Sequence, residues 1–199
     1  PRFYEWLWQI ENEIRPLCPI VYYHVWDNFP APHFNLGYYQ SNDKIVCISK
    51  VTHEIVKTVA PDVDSVYLPH AVNGEWFKPL GADVRKKIRK DAMSVEDDKF
   101  IFFWNNRNAR RKQSGTLIFW FKEFLDIVGH DKAILIMHTE PKDPNGQDLE
   151  AIIDELKLTD GQVLLSTTKV DSPDLAKLYN LAEKDQINAG PIDFRSVLA

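Results

Sequence analysis

The sequence predicts an α/β protein built on parallel sheets, and three observations carry that prediction. From Phe100 onward, short apolar or β-branched runs alternate with amphipathic runs at the spacing of strand–helix–strand crossovers. Residues 1–80 repeat the mixture in shorter form, with Pro- and Asn-rich loops between the apolar runs. A Pro79-Leu80-Gly81 break and a highly charged stretch separate the two halves. The expected organisation is therefore parts of two parallel-sheet domains, at 1–80 and 98–199, joined by a linker and helix over 81–97.

Taken in order, residues 3–15 read as an amphipathic helix with Phe3, Leu7, Ile10 and Ile14 on one face, ended by Pro16 and Pro19. Residues 19–26 read as a buried strand that runs out into the Pro-punctuated loop Asp27–Pro32. Strands are expected at 44–49 and 65–69, with a helix over 51–59 capped by Ser49 between them. Residues 83–93 read as a helix whose cations Arg85, Lys86, Lys87, Arg89 and Lys90 form a solvated face. Strands at 100–104, 133–137 and 163–166 then alternate with helices at 116–128, 148–156 and 174–181. A further short strand is expected near 186–188.

The composition, 44% hydrophobic and 27% charged over 199 residues, is globular. A chain of this length buries roughly 70% of its unfolded surface. Trp, Tyr and Phe concentrate before residue 40 and between 100 and 124, which places the core centres there. The net charge of −5 argues against general nucleic-acid binding. Cys18 and Cys47 read as small buried groups in a reducing compartment rather than as a disulfide framework. No apolar run approaches the ~18 residues that span a bilayer, so a cytoplasmic protein is expected. The chain opens on Pro1, and its true start is expected upstream.

The stretch that invites chemistry is Asn105-Asn106-Arg107-Asn108-Ala109-Arg110-Arg111-Lys112, with four cations within six residues. It lies between a strand and a helix, at the carboxyl end of the strand, where open α/β sheets bind ligands. A departing diphosphate accumulates negative charge, which fixed cations and the N–H groups of a helix start stabilise without a metal. Arg107 can grip phosphate oxygens bidentately, with Lys112 as a point charge. Asn105 and Asn106 can hydrogen-bond oxygens, while Ser114-Gly115 would cap the helix and allow close approach. The competing interpretation is a solvated loop.

His24 lies near the carboxyl end of a strand and His70 at the end of another, and His24 is joined by Asp27, which together could orient a hydroxyl. A lone histidine is more often structural. Asp62-Val63-Asp64 follows Pro61, so a turn is preferred to a metal site. The six histidines show no metal-ligand spacing.

These pieces, in this order, resemble a known family. A strand ending His24-x-x-Asp27 precedes Ile48-Ser49-Lys50 and a helix. Leu68-Pro69-His70-Ala71-Val72-Asn73 with Phe77 follows, then Asn105-x-Arg107 with Lys112, then Leu175-x-x-Leu178-Tyr179-x-x-Ala182. The series resembles the GT-B-fold glycosyltransferases, and most of all their retaining, family 4-like group. The resemblance covers nearly the whole chain and rests on collinear order, since each motif is degenerate alone. It implies a GT-B-like fold made of two Rossmann-like domains, here the end of an acceptor domain and the front of a donor domain.

The resemblance also implies transfer of a sugar from a nucleotide diphosphate sugar (UDP- or GDP-linked), with retention and no obligatory cofactor or metal. His24, Arg107 and Lys112 would be catalytic, and Asn105, Asn106, Arg111, Thr139, Thr168 and Lys169 would bind the donor. Asp27 and His70 would lie on the acceptor or sugar side. The acceptor could be a sugar, a lipid or a protein; no nucleic-acid partner is implied, and the full-length protein could touch a membrane peripherally.

Two departures accompany the resemblance. The family's glycine-rich acceptor loop has no counterpart, and its E-x7-E acid motif is absent: Asp185 and Asp193 have the spacing but the wrong register. The expected object is an incomplete fragment that could be inactive alone. Other readings are a GT-B-fold sugar-nucleotide epimerase, a nucleic-acid module using residues 105–112, and an α/β scaffold that has lost its site.

Overall fold

The computed structural model describes residues 5–93 and 99–182. The strand expected near 186–188 and the Asp185/Asp193 pair lie outside the described residues. The chain divides into two compact units, Pro1–Val72 and Asn73–Ala199.

In the first unit, strands β1 (Val21–His24), β2 (Lys44–Cys47) and β3 (Ser65–Tyr67) form a parallel sheet in the order β1-β2-β3. Two short helices, α1 (Glu5–Gln9) and α2 (Glu11–Ile14), replace the single helix expected over 3–15. Ile10 leaves helical geometry between them at φ −114° and ψ 19°. The buried ring is Trp8 rather than a Leu7–Ile10–Ile14 stripe. Its indole N–H donates to Asn42 Oδ1 at 3.2 Å, and its ring stands edge-on to Tyr22. A large ring that also satisfies its polar handle outcompetes a periodic aliphatic face.

A 3-10 turn at His33–Asn35 leads into α3 (Leu36–Gln40), in a stretch where no helix was expected. Gly37 and two tyrosines are weak helix formers, so burial of Tyr39 at 1% exposure decides the local conformation. Helix α4 (Lys50–Val59) starts as expected, with Ser49 Oγ accepting from Thr52 N–H at 3.0 Å. Tyr39, Ile45, Cys47, Val56, Val59 and Ala60 make the core. Cys18, expected to be buried, is exposed in the segment between Pro16 and Pro19; only Cys47 occupies an inward strand position.

In the second unit, β4 (Phe100–Asn105), β5 (Ala133–His138) and β6 (Val163–Ser166) form a second parallel sheet in sequence order. Helices α6 (Ser114–Val128) and α7 (Leu149–Glu155) cover one face, where Phe102, Leu135 and Met137 pack with Phe121, Phe124 and Leu149. Ile101, Phe103, Ile134 and Ile136 point to the other face and pack with residues of α5 (Ala82–Met93) and α8 (Ser172–Tyr179). Residues 133–137 of β5 are buried on both faces, which explains the unbroken apolar run. Asp148 and Asp171 cap α7 and α8 through Ala151 N–H and Asp174 N–H.

Two charged or polar residues depart from the expected solvated linker and helix. Arg89 is buried and donates through Nε to the Leu181 carbonyl just beyond α8. Asn180 accepts from Leu80 N–H at 2.8 Å and donates to the Lys78 carbonyl at 3.1 Å, so residues 78–80 are tied to the end of α8. Among the described residues no helix is long and apolar enough to cross a membrane.

Candidate functional site

The carboxyl edge of the second sheet collects most of the residues expected to bind a donor. Strand pairing sets Asn105 beside His138 and His138 beside Ser166. Thr139 N–H continues the ladder to the Ser166 carbonyl, so Asn105, Thr139 and the loop carrying Thr168 and Lys169 share one edge. Thr168 and Lys169 are exposed there, and Asn106 is half-buried. Asn105 Nδ2 donates to the Tyr179 hydroxyl at 3.2 Å. The Thr139 hydroxyl is buried with no hydrogen-bond partner among the described residues, which leaves an unsatisfied polar group at the strand end.

Beyond Asn105 the chain turns through Arg107 to a 3-10 turn at Arg110–Lys112 and enters α6 through Gln113. Gln113 sits in the left-handed region at φ 51° and ψ 40°, an uncommon state for a side chain with a Cβ. That residue turns the basic loop sharply into the helix. Arg110 and Arg111 face solvent, and Lys112 is half-buried.

The expected role of Ser114-Gly115 as a cap open to an anion changes. Ser114 Oγ donates inward to Asn108 Oδ1 at 2.6 Å, and the Gly115 N–H is taken by Gln147 Oε1 at 2.9 Å. A Cβ on Gly115 would meet Ile152 Cδ1 at 2.7 Å. The close approach that needs glycine is therefore to α7 and its preceding loop, not to a ligand.

Asn108, fully buried, fixes the loop from beneath. Its Nδ2 donates to the carbonyls of Pro141 (3.1 Å) and Gln147 (2.7 Å), and its Oδ1 accepts from Gln147 N–H (3.3 Å). Arg110 N–H donates to the Asn145 carbonyl at 3.0 Å. A Cβ on Gly146 would run into the Asn108 carbonyl oxygen, so no larger residue fits without displacing the chain. The 105–113 and 139–148 loops are thus one locked assembly.

Arg107 stands on that assembly with its side chain 64% exposed, and Asp143 grips it. Nε donates to Asp143 Oδ2 at 2.6 Å and Nη2 to Oδ1 at 3.1 Å. The Arg107 hydrogen bond, then that from Asn145 N–H, holds the Asp143 carboxyl well below the usual range, at about 2. Sequence reasoning missed Asn108, Asp143 and Gln147. The Asn145-Gly146 turn pair was the available signal of a tight loop after β5, but nothing in it named a partner for Arg107.

The first unit places its candidates on two faces. His24, buried at the end of β1, has Nε2 2.7 Å from the Tyr39 hydroxyl, while Nδ1 is buried without a partner. Burial lowers its pKa to about 4. His70 is exposed and packs on Tyr23, with Nδ1 3.1 Å from the Tyr23 hydroxyl. Successive strand residues face opposite ways, so the sheet does not bring His24 and His70 together. Asp27 is exposed beyond the strand. A cavity of about 610 Å³ in this unit lies at the opposite, amino-terminal edge, beside Asp43, Ala60 and Asp64. It lies away from the edge where parallel sheets bind ligands, and Arg15 on its wall is already held by Glu11 and Asp43.

The two parallel sheets and their flanking helices define an α/β fold of the GT-B class, as the solved structures that resemble it show. A glycosyltransferase from Rickettsia africae aligns at a TM-score of 0.56 and 17% identity, over 88% of this chain and 52% of its own. The UDP-forming alpha,alpha-trehalose-phosphate synthase of Burkholderia xenovorans, in complex with glucose-6-phosphate, aligns at 0.59 and 13%, over 88% and 49%. An E. coli trehalose-6-phosphate protein bound with UDP-2-fluoro glucose aligns at 0.55 and 10%, over 90% and 55%. The chain thus spans about half the length of the structures it resembles. No family model matches the sequence, and no curated protein matches it.

Proposed function

We propose that the chain is the central part of a nucleotide-sugar-dependent glycosyltransferase, acting with retention and without an obligatory metal or cofactor. Residues 1–80 would belong to the acceptor domain and 98–199 to the donor domain, joined by 81–97, in a cytoplasmic protein. The observation that supports the reading is the locked loop at the carboxyl edge of the second sheet, which carries Arg107 and Lys112 in the segment between the end of β4 and the start of α6. Arg107 and Lys112 stabilise the departing diphosphate, with Arg111 in support. Thr139, Thr168 and Lys169 hold the nucleoside.

His24 contacts the transferred sugar or an acceptor hydroxyl, with Asp27 and His70 on the acceptor side. With its pKa lowered to about 4, His24 is neutral at pH 7 and works as a hydrogen-bonding group rather than a cation. The neighbour bound with UDP-2-fluoro glucose supports a nucleotide-sugar donor. The neighbour in complex with glucose-6-phosphate is consistent with a sugar acceptor, while a lipid or protein acceptor, with peripheral membrane contact, is an alternative for the complete protein.

The test is Arg107→Ala in the full-length enzyme, measuring nucleotide release with and without acceptor. Affinity and turnover should fall at least tenfold. Values within about twofold of the parent would overturn the diphosphate assignment.

A further inference from the structure

We infer that Asp143 is a positioning residue for the diphosphate site: it holds Arg107 by its inner edge so that the outer edge of the guanidinium faces a nucleoside diphosphate. The inference rests on the diphosphate reading given above. A guanidinium has two edges that can each bind an anion side by side, one formed by Nε and an Nη, the other by the two Nη groups. Asp143 occupies the first edge through Nε (2.6 Å) and Nη2 (3.1 Å). Among the described residues Nη1 and the outer Nη2 hydrogen remain for a second anion, on a side chain that is 64% exposed.

The holder is itself fixed. Asp143 Oδ1 accepts from Asn145 N–H at 2.8 Å, and Gly146 N–H donates to the Asp143 carbonyl at 2.8 Å. The loop carrying it is pinned by buried Asn108 and by Arg110 N–H. The Asp143 side chain is 10% exposed against the 64% of its partner, so the fixed carboxylate sets the position of the exposed arginine. An unheld arginine would lose several freely rotating torsions on gripping phosphate, and a held one loses fewer.

The test is a double-mutant cycle on the full-length protein, reading UDP and GDP affinity calorimetrically and ligand-free melting by circular dichroism. Asp143→Ala should weaken binding three- to tenfold while the ligand-free melting temperature stays within about 2 °C. In the Arg107→Ala background the same substitution should cost less than twofold, because the effect passes through Arg107. Asp143→Asn, which keeps the acceptor for Asn145 N–H, should fall between the parent and Asp143→Ala. Tighter binding by Asp143→Ala would show that the carboxylate competes with the ligand, and an undiminished cost in the Arg107→Ala background would show independent action; either overturns the inference. If Arg107→Ala itself leaves affinity unchanged, or the parent binds neither nucleotide, the diphosphate reading fails first and the inference falls with it.

Discussion

Replacing Asn108 by alanine probes the scaffold of the proposed site more sharply than any change to the cations it carries. The side chain is completely buried and takes part in four hydrogen bonds: to the Pro141 and Gln147 carbonyls, from Gln147 N–H and from Ser114 Oγ. Each such bond is worth about 1 kcal/mol net, and buried groups left without partners cost more. The expected loss is about 4 kcal/mol, or a fall of roughly 10 °C in melting temperature for a chain of this size. Urea unfolding followed by circular dichroism measures it. Asn108→Asp separates hydrogen bonding from packing, because it keeps the size but sets a carboxylate oxygen against two carbonyls. It should be at least as destabilised as the alanine variant. A loss under about 1 kcal/mol in Asn108→Ala, or an aspartate variant close to the parent, would refute the locked-loop account.

Three further outcomes follow from the same structure. His24 has its pKa lowered to about 4 against an unfolded value near 6.5, so between these values the unfolded chain binds more protons. Stability is then fully present above pH 6.5 and falls by about 3 kcal/mol as the pH drops towards 4; His24→Gln should flatten that slope in urea midpoints, and an unchanged slope would refute it. Phe121→Ala removes a fully buried ring packed against Phe102 and Phe124 and should cost about 3–5 kcal/mol; a midpoint within experimental error of the parent would contradict the core assignment. Cys18 is exposed, whereas Cys47 is buried with its thiol pushed up to about 11. A thiol reagent should therefore modify Cys18 in the native protein and Cys47 only after unfolding, and rapid native labelling of Cys47 would contradict its burial.

The parts of this fold that were legible in the sequence are those whose residues report on themselves. Ile134-Leu135-Ile136-Met137 can only be a strand covered on both faces or a buried helix, and its short length favoured the strand. Ser49 three residues ahead of Thr52 marks a helix start because the bond it makes is local. Helix α3 was not legible, since its local propensity is poor and Tyr39 is held by a core assembled from distant strands.

At the candidate site the same division holds. The basic loop was visible as composition at a strand end, and the collinear motifs suggested roles for Arg107 and Lys112. The contacts of Asn108 and Asp143 span more than thirty residues, a separation that no pattern in one sequence encodes. Likewise Ser114-Gly115 looked like an open helix start, whereas the tight approach of Ile152 and Gln147 explains the glycine.

The central claim, that the loop over residues 105–112 grips a nucleotide diphosphate, is tested most directly by calorimetric titration of UDP and GDP into the full-length protein and into its Arg107→Ala/Lys112→Ala variant. The account predicts saturable binding of one nucleotide by the parent that weakens as salt is raised, and at least a tenfold loss in the double variant with its circular dichroism spectrum unchanged. Equal affinity in the two proteins, or no binding by the parent, would contradict it.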